Sequence, residues 1–317
     1  MLKKTLDFVD WLINAVMIVF FLLLILIGGY AFFDSYQIYD SVKLDAEIIN
    51  LKPKKQEDST IGELLEINPD AEAWITMFET TIDYPIVHSK DNLDYLNLDY
   101  KRNYTTGGSI FSDYRNTLGF KDDYTIVYGH NMATGQMFSD IKKYEDARYF
   151  DQHSYGVLYT ADNVYKLEAL YVAKVNAFED DIYNLITYAN GRNKALAELV
   201  RGKSIRGGVT EEVGKLILLS TCDSYGSNDR TVLLVRATSS SDDEIETIED
   251  SVAENIGAGD SEGTAGGSGF WAGFKDLWWI ILIVILVVIA IKIIERKLRR
   301  RANKKPEKSL DKKRKLV

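Results

Sequence analysis

A long uncharged apolar run near the amino terminus constrains this chain more than any other feature. Residues 11–33 form 23 consecutive positions without a charge, rich in Leu, Ile, Val and Phe. A helix of roughly 20 apolar residues is enough to cross the hydrocarbon core of a bilayer. The run continues through Gly28 and Gly29 without an Ala-x-Ala cleavage pattern, so we interpret it as an uncleaved anchor rather than a signal peptide.

A second apolar stretch, residues 270–294, lies near the other end of the chain. Its only charges, Lys275, Asp276 and Lys292, lie near its ends, and Trp278 and Trp279 are placed like interfacial aromatic residues. We therefore predict two transmembrane helices. The alternative for either run is a buried core helix, which suits apolar runs of roughly 10 to 14 residues better.

The distribution of charge predicts how the chain is oriented. From residue 292 onward there are 13 basic and 3 acidic residues, a net charge of +10, and Lys3 and Lys4 precede the first run. Basic residues beside a span stay on the cytoplasmic side, so both termini are expected inside. The whole chain carries −9, which leaves −19 before the tail and indicates an acidic external domain that does not bind nucleic acid. The basic tail alone would suit nucleic acid, but beside a span an anionic membrane leaflet is the expected partner.

Composition divides the rest of the chain. Between residues 242 and 262 there are nine acidic and no basic residues, a composition typical of a linker that cannot bury a core. The predicted order is a cytoplasmic terminus 1–10, a span 11–33, a stalk 34–60, a body 61–237, an acidic and Gly-Ser-rich linker 238–269, a span 270–294 and a basic cytoplasmic tail 295–317.

The body has about 175 residues, enough for one core, and its pattern is mainly β. Short runs rich in β-branched and aromatic residues, bounded by Gly, Asn and Asp, predict strands at 82–87, 124–128, 156–159, 164–175, 215–220 and 231–235. Several short strands favour a barrel. Helical spacing is confined to 61–67, 137–143 and 180–201.

Cys222 is the single cysteine, so it cannot form an internal disulfide. A lone thiol in an exported domain is a buried small hydrophobic residue, an intermolecular link or a reactive nucleophile. Its position favours the nucleophile, because the strand-like LILLS ends at Thr221 and Cys222, just before a turn-rich segment. Loops at strand ends are where a rigid scaffold exposes functional groups.

A nucleophilic thiol needs a base or an electrostatic partner. Of the three histidines, His130 follows a predicted strand directly in TIVYGHNM, whereas His88 and His153 have no such context. Acyl transfer also needs a donor for the developing oxyanion. Arg230 follows Cys222 by eight residues and begins the next predicted strand, which would place its guanidinium beside the thiol.

Four stretches together resemble the sortases, particularly class B. They are INPDAEAWITMFETTIDYPIVHSKDNLDYLNLDY, GGSIFSDYRN, TIVYGHNMATGQMF and LSTCDSYGSNDRTVLLVRA, and they span the whole body. The last is similar to the sortase pattern of Leu-x-Thr-Cys followed after a loop by Arg. The resemblance implies a mainly β fold, an eight-stranded sortase barrel flanked by an amino-terminal helix and by a helical insertion before the Cys-bearing strand.

The same resemblance implies a cysteine transpeptidase. Cys222 would form a thioester with the sorting signal of a secreted protein, His130 would exchange protons with the leaving and incoming amines, and Arg230 would hold the oxyanion. The residues expected to bind the substrate are Asn92, Ser220, Thr221, Asp223, Ile182 and Tyr183. The expected amine acceptor is a peptidoglycan cross-bridge or a lysine of another pilin.

Two departures from the family pattern stand out. A carboxy-terminal span is more typical of the pilus-polymerising class C enzymes, and the interval between Cys222 and Arg230 is short. No Asp-Pro-Trp-like lid motif occurs in residues 34–60. A different class of function, a catalytically silent barrel that binds surface proteins as a scaffold, is the alternative hypothesis. One Cys and three scattered His offer no metal-ligand spacing, so we expect neither a metal nor a cofactor.

Overall fold

A computed structural model of the protein describes residues 2–41, 44–55, 60–132, 135–185, 193–207, 214–222 and 228–259. The helices are α1 (Leu2–Ser41), α2 (Ala46–Ile49), α3 (Thr60–Ile67), α4 (Ala147–Gln152), α5 (Asp180–Tyr183), α6 (Asn193–Lys203) and α7 (Asp242–Gly259), with short 3-10 helices at Asp94–Leu96 and Ser139–Glu145. The strands are β1 (Ala71–Met77), β2 (Asp83–His88), β3 (Ile110–Ser112), β4 (Tyr124–Tyr128), β5 (Tyr155–Thr160), β6 (Val164–Asn176), β7 (Ser204–Gly207), β8 (Lys215–Cys222) and β9 (Asp229–Ser239).

Eight of the strands in the described part of the chain close into a barrel. The order β5-β1-β2-β3-β4-β8-β9-β6 returns to β5 through a direct β5–β6 pairing, and β7 adds to the outer edge of β6. The β2–β3 and β4–β8 pairs are parallel and the others are antiparallel. Closure leaves the barrel itself without a terminal strand whose free edge would invite association with other chains. The predicted fold class is confirmed.

Most predicted elements are present. All six predicted strands are found, and the helical pattern at 180–201 corresponds to α5 and α6. These two helices form the insertion between β6 and β7, ahead of the Cys-bearing β8. The strands β1, β3 and β7 were not predicted, and the helix expected at 137–143 is the 3-10 helix Ser139–Glu145.

The strand β8 is buried on both faces, which explains its uninterrupted apolar run. Ile217 and Leu219 pack inside the barrel, whereas Leu216 and Leu218 belong to a cluster on its outer face. Side chains alternate between the faces of a strand, so a strand covered on both sides is apolar throughout. The outer cover comes from the insertion, whose buried residues include Ile182, Leu196 and Val200.

The segment predicted as a linker forms the helix α7 instead. Ile245 and Val252 are only 3% and 4% exposed, and Ile248 and Ile256 pack against the same cluster. These positions recur at helical spacing, which places them on one face. Asp242, Asp243 and Glu244 occupy the first turn, where negative charge interacts favourably with the helix dipole. The prediction that this stretch buries no core was therefore wrong for residues 242–259.

The predicted stalk is also partly built into the body. Ile48 of α2 is 1% exposed and joins Leu64 of α3, Trp74 of β1 and Ile245 of α7 in one cluster on the outside of the barrel. The segments that enter and leave the body thus cover the same apolar surface, and both contribute to its stability.

The helix α1 contains the first predicted span. Lys4–Asp34 is long and apolar enough to cross a membrane, and none of it is buried within the protein. A helix of this kind near the amino terminus is a membrane anchor or a signal sequence. The second predicted span, 270–294, the tail 295–317 and residues 260–269 lie outside the described residues.

Candidate active site

The pairing of β8 with β9 brings Cys222 and Arg230 together. They are direct register partners at the end of this antiparallel pair. Side chains of opposed residues lie on the same face with Cβ atoms roughly 5 Å apart. Both are half-buried. Alternation along β8 places Cys222 on the same face as Ser220 and Leu218, so the thiol lies on the outer face of the barrel, beyond the cluster covered by the insertion.

His130 reaches the same end of the sheet from β4. This strand runs parallel to β8 with Tyr128 opposite Ser220, and the Gly129 amide donates to the Ser220 carbonyl at 3.1 Å. A side chain on Gly129 would meet the Ile110 and Phe138 side chains at 2.5 and 2.7 Å. Only glycine fits at this position, and the chain then turns so that His130 follows directly.

One hydrogen bond fixes the protonation of one nitrogen of His130. Its Nε2 lies 2.9 Å from the Leu96 carbonyl oxygen. A carbonyl only accepts, so Nε2 carries a hydrogen whether the ring is neutral or charged. Proton exchange with a substrate is therefore left to Nδ1, and Leu96 holds the ring in one orientation.

Asn131 joins the His130 loop to the Cys222 strand. Its Nδ2 donates to the Cys222 carbonyl at 3.0 Å. The loop is fixed on its other side, where the Phe138 amide donates to the His130 carbonyl at 3.0 Å. The imidazole and the thiol are thus carried by backbone segments that are tied to each other.

These strand ends line a cleft of about 560 Å³. Its lining residues are Asn92, Leu96, Phe111, Arg115, Tyr128, Gly129, His130, Ala177, Tyr183, Asn184, Ser220, Thr221, Cys222 and Arg230. The volume suits a short peptide segment or a ligand of similar size. All three residues that the sequence singled out for catalysis meet in this one cleft.

Tyr183 of the insertion forms one wall of the cleft. Its hydroxyl lies 2.9 Å from the Ser220 Oγ, and the Tyr124 hydroxyl donates to the Ile182 carbonyl at 2.9 Å, which holds α5 against the sheet. Burial raises the pKa of Tyr183 to about 12, partly opposed by the Ser220 hydrogen bond and the positive charge of Arg230. The Tyr183 hydroxyl therefore stays protonated near neutral pH and remains a hydrogen-bond donor.

Four of the six expected substrate-binding residues line the cleft. They are Asn92, Tyr183, Ser220 and Thr221. Ile182 does not line it, because its side chain is fully buried in the cluster beneath α6. Asp223 lies outside the described residues.

Several residues that line the cleft, and Asn131 beside it, had no role predicted from the sequence. Tyr128 and Asn131 flank the Gly-His pair in the motif TIVYGHNM, and Arg115 belongs to GGSIFSDYRN. The available signal was that all three lie inside the stretches that resemble sortases. Leu96 accepts a hydrogen bond from His130 through its backbone carbonyl. Every residue has such a carbonyl, so the side-chain type at position 96 does not predict this contact.

A closed eight-stranded barrel that carries its cysteine in a cleft at the strand ends is the arrangement expected of a cysteine transpeptidase of the sortase type. The chain is 35% identical to Sortase B of Listeria monocytogenes over 196 residues, which cover 61% of this chain and 78% of that relative. The structure of the Staphylococcus aureus sortase B-substrate complex matches with a TM-score of 0.52 at 26% identity, over 57% of this chain and 86% of that one.

A Streptococcus pyogenes class B sortase involved in pilus biogenesis matches with a TM-score of 0.52 at 28% identity, over 56% of this chain and 97% of that one. No family model matches the sequence. The chain belongs to the class B sortases and is a cysteine transpeptidase.

Proposed function

We propose that Cys222, His130 and Arg230 carry out the transpeptidation. The observation that carries this assignment is the register pairing of Cys222 with Arg230, with His130 at the end of the strand next to β8, in one cleft. Acyl transfer through a thioester uses a thiolate nucleophile, a group that exchanges protons and a donor that stabilises the oxyanion, and these three residues can supply them.

The first half of the reaction cleaves a sorting signal. The Cys222 sulfur attacks the carbonyl carbon of the scissile peptide bond, and the Arg230 guanidinium stabilises the oxyanion. When the C–N bond breaks, His130 gives its Nδ1 proton to the leaving amine, which leaves an acyl thioester on Cys222. The substrate assignment is supported by the likeness to the structure of the Staphylococcus aureus sortase B-substrate complex.

The second half transfers the acyl group to an amine. The amine attacks the thioester carbonyl and loses a proton to His130, the C–S bond breaks, and the Cys222 thiolate is regenerated with a new amide as product. The acceptor is an amine of the peptidoglycan cross-bridge or a lysine of a pilin. The pilin acceptor gains support from the likeness to a class B sortase involved in pilus biogenesis. Nothing in the described residues favours a silent scaffold.

We further infer that the protein crosses the membrane twice, with the catalytic barrel outside. Support comes from the apolar helix Lys4–Asp34, from the apolar run 270–294 and from the basic tail, whose net charge of +10 favours the cytoplasmic side. The acidic barrel then faces the cell surface, where its substrates and the cell wall lie.

Kinetic assays on the full-length protein in detergent test the assigned roles. With quenched-fluorescent heptapeptides, we expect His130→Gln to lower kcat/KM roughly 10²- to 10⁴-fold and Arg230→Lys roughly 10²- to 10³-fold. The matched controls are His153→Gln and Arg102→Lys, whose residues lie outside the cleft, and these should stay within about twofold of the parent. If the controls lose as much activity as the cleft variants, the assignment is wrong.

A further inference from the structure

The cleft contains a second guanidinium besides that of Arg230. Arg115 lines the cleft beside Asn92 and Tyr183, and its side chain is 40% exposed. It follows β3 by three residues and is held there by Asp113, which comes directly after the strand. An arginine that lines a substrate cleft serves either to hold the wall together or to contact the substrate.

The orientation of Arg115 is fixed by a buried carboxylate. Its Nε donates to Asp113 Oδ1 at 2.8 Å and its Nη2 to Asp113 Oδ2 at 2.7 Å. Asp113 is fully buried and also accepts from Asn92 Nδ2 at 3.0 Å and from the Tyr128 hydroxyl at 2.8 Å. Burial alone would raise the pKa of Asp113, but the hydrogen bonds from Arg115, Tyr128 and Asn92 outweigh it and hold the pKa below its usual value.

The Nη1 group of the Arg115 guanidinium is left for a ligand. Nη2 also donates to the Tyr183 carbonyl at 3.0 Å, so Nε and Nη2 are both engaged within the protein. Within the described part of the chain, Nη1 has no hydrogen-bond acceptor. A guanidinium that is clamped on one side and exposed on the other presents its remaining N–H groups in a fixed direction.

The ion pair favours a neutral acceptor for Nη1. The charge of Arg115 is already balanced by Asp113 at hydrogen-bond distance. A second carboxylate would be held close to this buried negative charge and would be repelled by it. A neutral oxygen, in a main-chain carbonyl or a side-chain carboxamide, gains the hydrogen bond without that repulsion.

We propose that Arg115 is a specificity-determining residue that donates from Nη1 to a neutral oxygen of the bound sorting peptide. Arg115 is linked to the Cys222 strand through Tyr183, whose carbonyl accepts from Arg115 and whose hydroxyl contacts Ser220. The proposal rests on the proposed function, because it assumes that the peptide occupies this cleft. Asp113 acts through Arg115 and is a positioning residue.

The test measures coupling between Arg115 and single positions of the peptide, using the full-length protein in detergent. The parent peptide is the fastest substrate in a quenched-fluorescent heptapeptide library. One set of derivatives replaces each Asn or Gln by Ala, and a second replaces each main-chain carbonyl by a thioamide, a weaker acceptor. The two sets distinguish a side-chain oxygen from a main-chain oxygen. Each peptide is assayed with the parent enzyme, with Arg115→Lys and with the control Arg102→Lys, which alters an Arg–Asp pair outside the cleft.

At one peptide position, the weakened acceptor should lower kcat/KM about tenfold with the parent enzyme and with Arg102→Lys, mainly through KM. A lysine side chain would keep the positive charge but lack the second terminal nitrogen of the guanidinium. With Arg115→Lys, the same weakened acceptor should therefore lower kcat/KM less than twofold. If Arg115→Lys fails to fold, the double variant Asp113→Asn with Arg115→Gln removes both charges of the pair and should show the same loss of coupling.

Two results would overturn the proposal, and they differ. If Arg115→Lys lowers kcat/KM by the same factor for every peptide, Arg115 only holds the cleft wall, although the enzyme assignment stands. If the parent enzyme turns over no peptide in the library, the proposed function fails together with the inference. The conclusion is also that Arg115 only holds the cleft wall if each weakened acceptor lowers kcat/KM by the same factor in both Arg115 variants as in the parent enzyme.

Discussion

At the residue scale, some residues of the site can be identified from the sequence, whereas others can be identified only from the folded structure. Cys222, His130 and Arg230 could be selected because each adjoins a strand with a clear apolar pattern. The Asp113–Arg115 pair could not be selected from the sequence. Its role in the cleft depends on full burial of the carboxylate and on partners as distant in sequence as Tyr183. Ile182 shows the converse, since a residue expected in the groove packs beneath it.

A histidine outside the cleft makes stability depend on pH. His153 stacks on Tyr149 with ring centroids 3.8 Å apart, and burial lowers its pKa below the ordinary value near 6.5. The unfolded chain then binds a proton that the folded chain does not, so this residue's contribution is present above pH of about 6.5 and is lost as the pH falls through the folded pKa. We expect His153→Gln to flatten the loss of stability below pH of about 6.5, measured by denaturant unfolding at a series of pH values. A slope unchanged in this variant would contradict the assignment.

At the element scale, α7 shows where composition misleads. Nine acidic residues between positions 242 and 262 indicated a linker, yet Ile245, Ile248, Val252 and Ile256 form an apolar stripe that the surrounding charges conceal. A few apolar residues are enough to pack a helix against an apolar surface, here the cluster on the outside of the barrel. The composition of the helix itself does not reveal that surface. The strand β3 was missed for a related reason, since three residues are too few to show a pattern.

The docking of α7 predicts a stability difference between neighbouring residues. Ile245 is 3% exposed and Glu246 is exposed. We expect Ile245→Ala to lower the free energy of unfolding by about 2 to 4 kcal/mol, because it removes a buried side chain and leaves a cavity. Glu246→Ala should change it by less than about 0.5 kcal/mol. Denaturant unfolding measures both, and equal effects would mean that α7 does not pack on the barrel.

At the scale of the whole molecule, the sequence predicts most of the strands but not the order in which they pair. The β5–β6 pairing unites strands that are consecutive in sequence, whereas β4 and β8 are separated by β5, β6, the insertion and β7. Long-range parallel pairing leaves no local signal. It is nevertheless the pairing that places His130 beside the Cys222 strand.

The two-pass topology predicts which positions a membrane-impermeant maleimide can reach. In a Cys222→Ala background the chain has no other cysteine, so single new cysteines can be introduced cleanly. Ser251→Cys, at an exposed position of α7, should be labelled on intact cells, whereas Ser309→Cys in the basic tail should be labelled only after permeabilisation. Labelling of Ser309→Cys on intact cells would rule out a cytoplasmic tail.

The central claim is that Cys222 carries the acyl group between a sorting signal and an amine. Intact-mass spectrometry of the full-length protein, incubated with the heptapeptide library with and without an added amine, tests it most directly. We expect a peptide adduct on Cys222 that the amine releases as a ligated product, and no adduct on Cys222→Ala, which should remain folded because the residue lies at a strand end. If no adduct forms with any peptide, and Cys222 in the folded protein also resists a thiol-modifying reagent, the thioester mechanism is contradicted.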